Sequence, residues 1–436
     1  MPGTFRSLRN PNYRLWAGGA IVSNVGTWMQ RTAQDWIVLT QLTDHNATAV
    51  GIVMGLQFGP QLLMLPFSGF AADHLDRRKL LLATQAGMGL LALGLGLLTV
   101  TGLVRLWEVY IFAFLLGCVA AFDSPARQTF VSELVGEADL SNAVALNSTS
   151  FNAARMIGPA VAGVLIAGIG TGWVFLINAA SFAAVIGSLC LLRVDQLHRG
   201  AKPIRTKGSL AEGFRYVWKR PDLKAILLML LFIGTFGLNF PIFISTMSVS
   251  AFHAGASEYG LLTSTMAVGS VIGALLAARR GQAHVALLFV VAAVFGLGLA
   301  LAAVMPNYWL FGLALIIVGV SAQTFTTTLI STVQMTTEPA MRGRVMAIVL
   351  AIAMGGTPIG APIVGRIADV FGPRWGIAVG AVAGFAAAIV GLRYLGKYRQ
   401  LRMRRERWRI RFSVDSGDPM SDVHRTKRLI TEQGAK

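Results

Sequence analysis

The sequence predicts an all-α integral membrane protein with twelve transmembrane helices in two six-helix bundles. Three observations predict it. The 436 residues are 54% hydrophobic and only 13% charged, with a mean hydropathy of +0.61, whereas a soluble domain carries about 25% charged residues. The apolar residues fall in runs of bilayer length, and the runs are even in number. The two halves also echo each other, because Gly158, Gly163 and Trp173 recur as Gly360, Gly365 and Trp375, each 202 residues later.

A helical span needs about 20 apolar residues. The N-terminal half offers spans near 14–41, 47–71, 79–102, 106–126, 141–168 and 173–193; the other half offers 223–250, 258–279, 284–304, 308–334, 342–371 and 375–396. The first, fifth, tenth and eleventh are long enough to tilt or to protrude into water. The first run does not read as a cleaved leader, because it is long and contains Arg31 and Asp35, and it is expected to remain as the first span.

The net charge of +18 would suggest nucleic acid on a soluble surface, but here the bases collect between and after apolar runs. Loops on the N-terminal side carry Arg6 and Arg9, then Arg77, Arg78 and Lys79, then Arg279 and Arg280, then Arg342 and Arg344; the opposite loops carry only Arg105 and Arg374. The positive-inside rule then puts both termini in the cytoplasm. A polar stretch with Lys202, Pro203, Arg205 and Lys207 divides the chain, and residues 211–218 within it read as a short interfacial helix. The expected organisation is a bundle at 1–193, a cytoplasmic linker at 194–222, a second bundle at 223–396 and a basic tail at 397–436, drawn to anionic lipid. Cys118 and Cys190 fall in apolar runs and read as small hydrophobes rather than as a disulfide or metal set.

Between the second and third spans, Gly69, Ala72, Asp73, Arg77 and Arg78 reproduce the signature loop of the major facilitator superfamily, which the chain resembles; His74 and Asp76 depart from it. On the fifth span, Arg155, Gly158, Pro159 and Gly163 resemble that superfamily's antiporter motif, with Ala154 and Ala162 where glycines are usual. The run Phe122 to Arg127, followed by Leu140 to Ala143, is similar to the fourth-to-fifth connection of the branch that includes enterobactin (siderophore) and multidrug exporters. The resemblance implies a secondary transporter in a bacterial plasma (inner) membrane, monomeric, moving a small molecule in exchange for protons. Asp73 and the arginines of the signature loop would then form a conformational switch that pairs charges across the halves. An importer or uncoupled facilitator of the same fold stays open, as does a membrane enzyme or lipid-handling protein.

Independently of any family, Asn24, Trp28, Arg31 and Asp35 share one helical face. Ionisable groups at membrane depth face a cavity or a partner, so Arg31 and Asp35 read either as a structural ion pair or as a proton-carrying pair. Similar stripes are Gln57, Gln61 and Ser68; Ser148, Asn152 and Arg155; and Gln323, Thr327 and Gln334. Their convergence suggests a polar cavity, with Met54, Met64, Met266, Met346 and Met354 as adaptable wall. No metal, cofactor or catalytic site is expected. Gly391 to Lys397 mimics the start of a phosphate loop, but Tyr398 stands where Ser or Thr would bind magnesium.

Overall fold

The computed structural model describes residues 5–198, 210–278, 285–398, 402–406 and 409–413. The first half runs α1 (Pro11–Thr40), α2 (Ala47–Leu63), α3 (Leu65–His74), α4 (Arg77–Val100), α5 (Leu106–Leu134), α6 (Glu137–Ile169) and α7 (Thr171–Cys190). A short α8 (Leu210–Lys219) leads to α9 (Pro221–Phe232), α10 (Phe240–Thr246), α11 (Ala256–Ala278), α12 (Val285–Val304), α13 (Tyr308–Thr336), α14 (Pro339–Phe371) and α15 (Pro373–Tyr398). The one non-helical pairing among the described residues is antiparallel, between β1 (Arg402–Glu406) and β2 (Arg409–Ser413), in the segment expected to be a basic tail. Arg279, Arg280, Lys202 to Lys207, Arg399 and Arg407 lie outside the described residues.

Ten of these segments are long and apolar enough to cross a membrane. The two other predicted spans fall short for physical reasons. Helix α1 carries the polar face of Asn24, Arg31 and Asp35, which lowers its hydropathy. The second is cut into α2 and α3 at Met64, with Pro60 before the break and Pro66 just after it; each ring removes a backbone donor. The predicted span at 223–250 is likewise interrupted. It has π-helical turns at Ile233–Gly237 and Met247–Ala251, and a break at Leu238 and Asn239 before α10. The fourth span, expected to close near 126 at the connection that begins in Phe122 to Arg127, runs on as α5 to Leu134, and the turn to α6 falls at Val135 and Gly136.

Short connections make successive helices antiparallel, so one end of the molecule, the near end, carries the N-terminus, α8 and the close of α15. There Asn12 Nδ2 donates to the Arg193 carbonyl (3.0 Å), Tyr13 Oη to the Ala143 carbonyl (2.8 Å) and Ser7 Oγ to Asn142 Oδ1 (2.7 Å). Helix α8 docks on α14 through Glu212 and Arg344 (3.1 Å). Arg220, which caps the approach to α9, bonds Asp222, and that bond holds its guanidinium pKa above the ordinary range. The far end is marked differently. Trp107, Trp173, Trp309 and Trp375 are exposed in the first turns of α5, α7, α13 and α15, the position of a membrane-interface aromatic belt.

The halves meet along two seams, α2 against α14 and α6 against α11. In lipid, helix association depends on close packing of small residues, and both seams are built that way. A Cβ added at Gly51 would come within 2.5 Å of the Ala361 carbonyl oxygen, and one at Gly163 within 2.6 Å of the Ala256 carbonyl oxygen. Gly365 against Ala47 and Gly260 against Pro159 are tighter still. These contacts are related by the internal repeat. Gly163 and Gly365, like Pro159 and Ala361, lie 202 residues apart, and Gly51 and Gly260, like Ala47 and Ala256, lie 209 apart. All lie toward the far end, and α3, which continues α2 to the near end, packs mainly on α5 and α2 of its own half.

Asp369, at the close of α14, completes the first seam. Its carboxylate accepts from the backbone N–H groups of Ala47 (2.7 Å) and Thr48 (2.9 Å) and from the Thr48 hydroxyl, so one half caps the N-terminus of a helix of the other. Such a carboxylate satisfies free amides and opposes the positive end of the helix dipole. Asp369→Ala is expected to reduce the population closed at the far end. With Cys118 and Cys190 replaced, spin labels at Thr43 and Arg374 should show a longer distance component in the variant; an unchanged distribution would mean that the cap does not hold the seam.

Candidate functional site

The two seams close over a cavity of about 230 Å³ between the halves. Trp28, Arg31, Thr32 and Asp35 of α1, Met54, Gln57 and Phe58 of α2 and Arg155 of α6 line it from one half. Leu238, Phe240, Pro241 and Ile244 from the broken segment, Tyr259, Thr263, Met266 and Ala267 of α11 and Thr357 of α14 line it from the other. The break around Asn239 turns an otherwise continuous helix into a wall that presents Phe240 and Pro241, as discontinuous helices do in transporter sites.

Asp35 is the acid in this lining, 9% exposed, and its Oδ2 accepts from the Tyr259 hydroxyl of the other half at 3.3 Å. Tyr259 in turn stacks on Trp36, with ring centroids 6.0 Å apart. The predicted Arg31 and Asp35 pair shares the cavity, but no ion pair closes between them among the described residues; the Arg31 guanidinium sits over Trp28 (5.0 Å) and Phe58 (5.8 Å). Cation–π contacts of this kind contribute about 0.5–2 kcal/mol. Trp28 is braced edge-on by Phe151 (5.7 Å), and Gln57 Nε2 donates to Gln34 Oε1 (3.2 Å), tying α2 to α1.

The structure brings together Trp28, Arg31, Asp35, Gln57 and Arg155 of the predicted residues, with Met54 and Met266 from the predicted wall. Gln61, Ser148, Asn152, Gln323 and Thr327 lie outside this lining. Gln61 Nε2 donates to the Gln57 carbonyl (3.0 Å), Asn152 Nδ2 to the Ser148 carbonyl (2.8 Å) and Gln323 Nε2 to Thr327 Oγ1 (3.2 Å). Asn24 also leaves the cavity, because its Oδ1 accepts from Arg127 Nη1 at 3.0 Å. That bond belongs to a buried network that sequence reading missed. Asp123 Oδ2 receives Arg127 Nη2 (2.9 Å), and its Oδ1 receives Thr84 Oγ1 (2.8 Å) and Gln85 Nε2 (2.7 Å). Asp123 is therefore a second acid buried inside a span beside Asp35, and it is fully occupied by donors.

The motif residues divide between packing and charge. Gly158 packs on α1, where a Cβ would meet that of Trp28 at 2.6 Å, and Pro159 and Gly163 belong to the α6 and α11 seam. Arg155 alone of that motif faces the cavity. Arg77 Nη1 pairs with Glu133 Oε1 (2.8 Å), and Arg78 Nε donates to the Leu189 carbonyl (2.7 Å). Both of these bonds lie within the first half. Gly69 has open space around it, Asp76 caps α4 through the Lys79 amide (3.0 Å), and the side chain of Asp73 lies outside the described residues. Sequence signals for Tyr259 are absent, but Asp369 had one: Gly365, Ala368 and Asp369 repeat the spacing of Gly69, Ala72 and Asp73.

A helical membrane protein whose two halves share a central cavity is the architecture of a transporter. The sequence model of the family described as transmembrane secretion effector matches residues 2–408, and the chain belongs to that family, within the major facilitator superfamily. It is a multi-pass membrane transporter, not an enzyme. It is 27% identical over 355 residues to the staphyloferrin A transporter of Staphylococcus aureus, covering 80% of this chain and 87% of that protein. It is 27% identical over 370 residues to the multidrug efflux pump Tap of Mycolicibacterium fortuitum, covering 81% and 88%. It is 26% identical over 372 residues to the enterobactin exporter EntS of Shigella flexneri, covering 85% and 88%. Among solved structures, a POT family transporter in complex with 5-aminolevulinic acid matches with a TM-score of 0.72 at 11% identity, over 90% of this chain and 99% of that one. A bacterial homolog of the human lysosomal transporter Spinster, inward-facing and occupied, matches with a TM-score of 0.70 at 16% identity, over 91% and 98%.

Removing one member of a buried charge pair typically costs about 3–5 kcal/mol, because the other charge is left without its partner. Arg127 is partly exposed at 21%, which places Asp123→Ala at the low end, about 3 kcal/mol. The variant should unfold at lower temperature than the parent in detergent, and adding Arg127→Leu should restore part of the loss; equal melting of parent and single variant would show that the network is not structural.

Proposed function

We propose that the chain exports small amphipathic molecules, drugs or siderophores, by alternating access in the plasma (inner) membrane of a bacterium, drawing on the proton gradient. Twelve spans with both termini cytoplasmic would make the near end the cytoplasmic one, and the present arrangement inward-open. The arginines and lysines at the near end and the tryptophans in the far-end turns support that orientation. The bundles at 1–193 and 223–396 are then the two rocking bodies, the segment 194–222 links them, and the polybasic tail at 397–436 attaches to anionic lipid. The names of the relatives support outward transport.

One observation carries the coupling: the Asp35 carboxylate is held by the Tyr259 hydroxyl across the boundary between the halves. Opening the far end must separate α1 from α11 and break that bond, so the surroundings of Asp35 change with each conformational step. A carboxylate whose environment alternates can take up a proton on one side and lose it on the other. Arg31 and the aromatic rings hold the cavity in shape around it. Asp73, Arg77 and Arg78 serve the near-end gate rather than contact with substrate. The protein acts as a monomer, since each half finds its partner within the chain.

In proteoliposomes, Asp35→Asn is expected to abolish export driven by a proton gradient while leaving substrate binding in place, and Asp35→Glu to keep part of the activity. Undiminished proton-driven export by Asp35→Asn would remove Asp35 as the carrier. Asp73→Asn should slow export at least severalfold at normal expression with unchanged substrate affinity, and full transport by that variant would take Asp73 out of the gate.

A further inference from the structure

We propose that the central cavity selects organic anions, a carboxylate beside a ring or an apolar face, with Arg155 as the group that receives the charge. The proposal rests on the reading of this cavity as the substrate site and names what it would take. The lining holds two guanidinium groups, Arg31 and Arg155, against the single carboxylate of Asp35. The three differ in what they already bond. Asp35 is engaged by Tyr259, and Arg31 rests over Trp28 and Phe58. Arg155 has no hydrogen bond, ion pair or ring contact to the protein among the described residues.

A cation at membrane depth without a partner is costly, and such groups normally mark a ligand or ion path. A guanidinium offers a planar fork of donors that matches a carboxylate in two parallel bonds. Arg155 stands one turn before the motif glycine Gly158, whose close packing against Trp28 fixes α6 on α1, so its backbone is firmly placed. The indole of Trp28 and the ring of Phe58 lie on the same side of the cavity, already holding one cation between them. A substrate ring would add its face to this stack while its carboxylate reaches Arg155. A dry cavity of about 150 Å³ takes a benzene ring, and this one is about 230 Å³. It therefore fits one aromatic or branched group with its carboxylate, and a larger molecule projects toward the near end. A cationic drug finds the opposite: two positive groups, and an acid already taken by a tyrosine.

The test measures binding to the purified full chain in an uncharged detergent, with 2-naphthoate and 2-naphthylmethylammonium, which share a ring and differ in charge. The parent should bind the naphthoate at least about tenfold more tightly, the usual scale of a charged hydrogen bond. Arg155→Gln should lose at least about tenfold of the naphthoate affinity, Arg155→Lys should recover much of it, and Asp35→Asn should tighten naphthoate binding. A merely structural arginine would not give that opposition of sign between two neighbours. Equal or tighter binding of the ammonium by the parent overturns the proposal, as does naphthoate affinity within twofold of the parent in a folded Arg155→Gln. Should that variant not fold, the charge preference of the parent and the response of Asp35→Asn still decide. Binding in detergent has neither gradient nor direction, so its failure is distinct from a failure of export in vesicles.

Discussion

Inside a bilayer, two helix bundles gain nothing by hiding apolar surface from one another, because lipid is as apolar as leucine. What joins the halves is the contact of backbone with backbone at Gly51, Gly163, Gly260 and Gly365. The rest of the arrangement depends on it. The seams roof the cavity, bring Tyr259 to Asp35 and place the N-terminus of α2 under Asp369. Because each contact has a counterpart in the other seam, the closure is shared between two lines, and a hinge can release both together. A side chain at any of these positions would wedge the halves apart at the far end without touching the cavity.

The recurrence of a glycine, an alanine and an aspartate on α3 and again on α14 gives this closure a direction. Asp369 stands where the far end of α14 meets the start of α2, and its carboxylate is bonded there. Asp73 stands at the other end of the same pair of antiparallel elements, on the side where α14 begins. Helix α14 starts at Pro339 with no capping bond from the side chain of its own N-cap residue, Glu338, whereas α2 is capped twice, by Asn46 and by Asp369. The cap from Asp369 satisfies a helix terminus of the other half at the far end, as one closed gate of the proposed alternating-access cycle would require.

Much of this was legible in the sequence, for a reason specific to membranes: apolar runs of bilayer length have few other ways to satisfy their backbone. Helix α12 is uniformly apolar, and its expected close at 304 is where the helix ends. Where chemistry interrupts that pattern, reading became partial. Periodicity put Asn24 on the face of Trp28, Arg31 and Asp35, but it could not foresee that Arg127, more than a hundred residues away, would draw Asn24 aside. The fourth span, expected to close near 126, runs on to Leu134, because Asp123 and Arg127 satisfy each other inside the bundle and the helix continues. Tyr259 gave no signal, since its significance is a partner on the other half. Arg31 and Asp35, one turn apart, suggested a pair, yet each found a better neighbour in Trp28 and Tyr259.

An anionic cargo changes what energy is available to move it. Against a membrane potential negative inside, each negative charge that leaves contributes about 2.3 kcal/mol per 100 mV, and that drive grows with the charge of the cargo. An ionised Asp35 repels an anion held by Arg155, so a proton on Asp35 and an anion in the cavity favour each other. They do not compete for one site, as a proton and a cationic drug would. Exchange of the two across the membrane then requires that they occupy the cavity in different conformations, and on the proposed cycle the bond from Tyr259 to Asp35 is what would separate them. Opening of the far end on that cycle would take this donor from the Asp35 carboxylate and leave it facing the cargo uncompensated when release is needed. On the proposed cycle the same residue would hold the halves together in one state and repel an anion in the other, with the membrane potential supplying the direction.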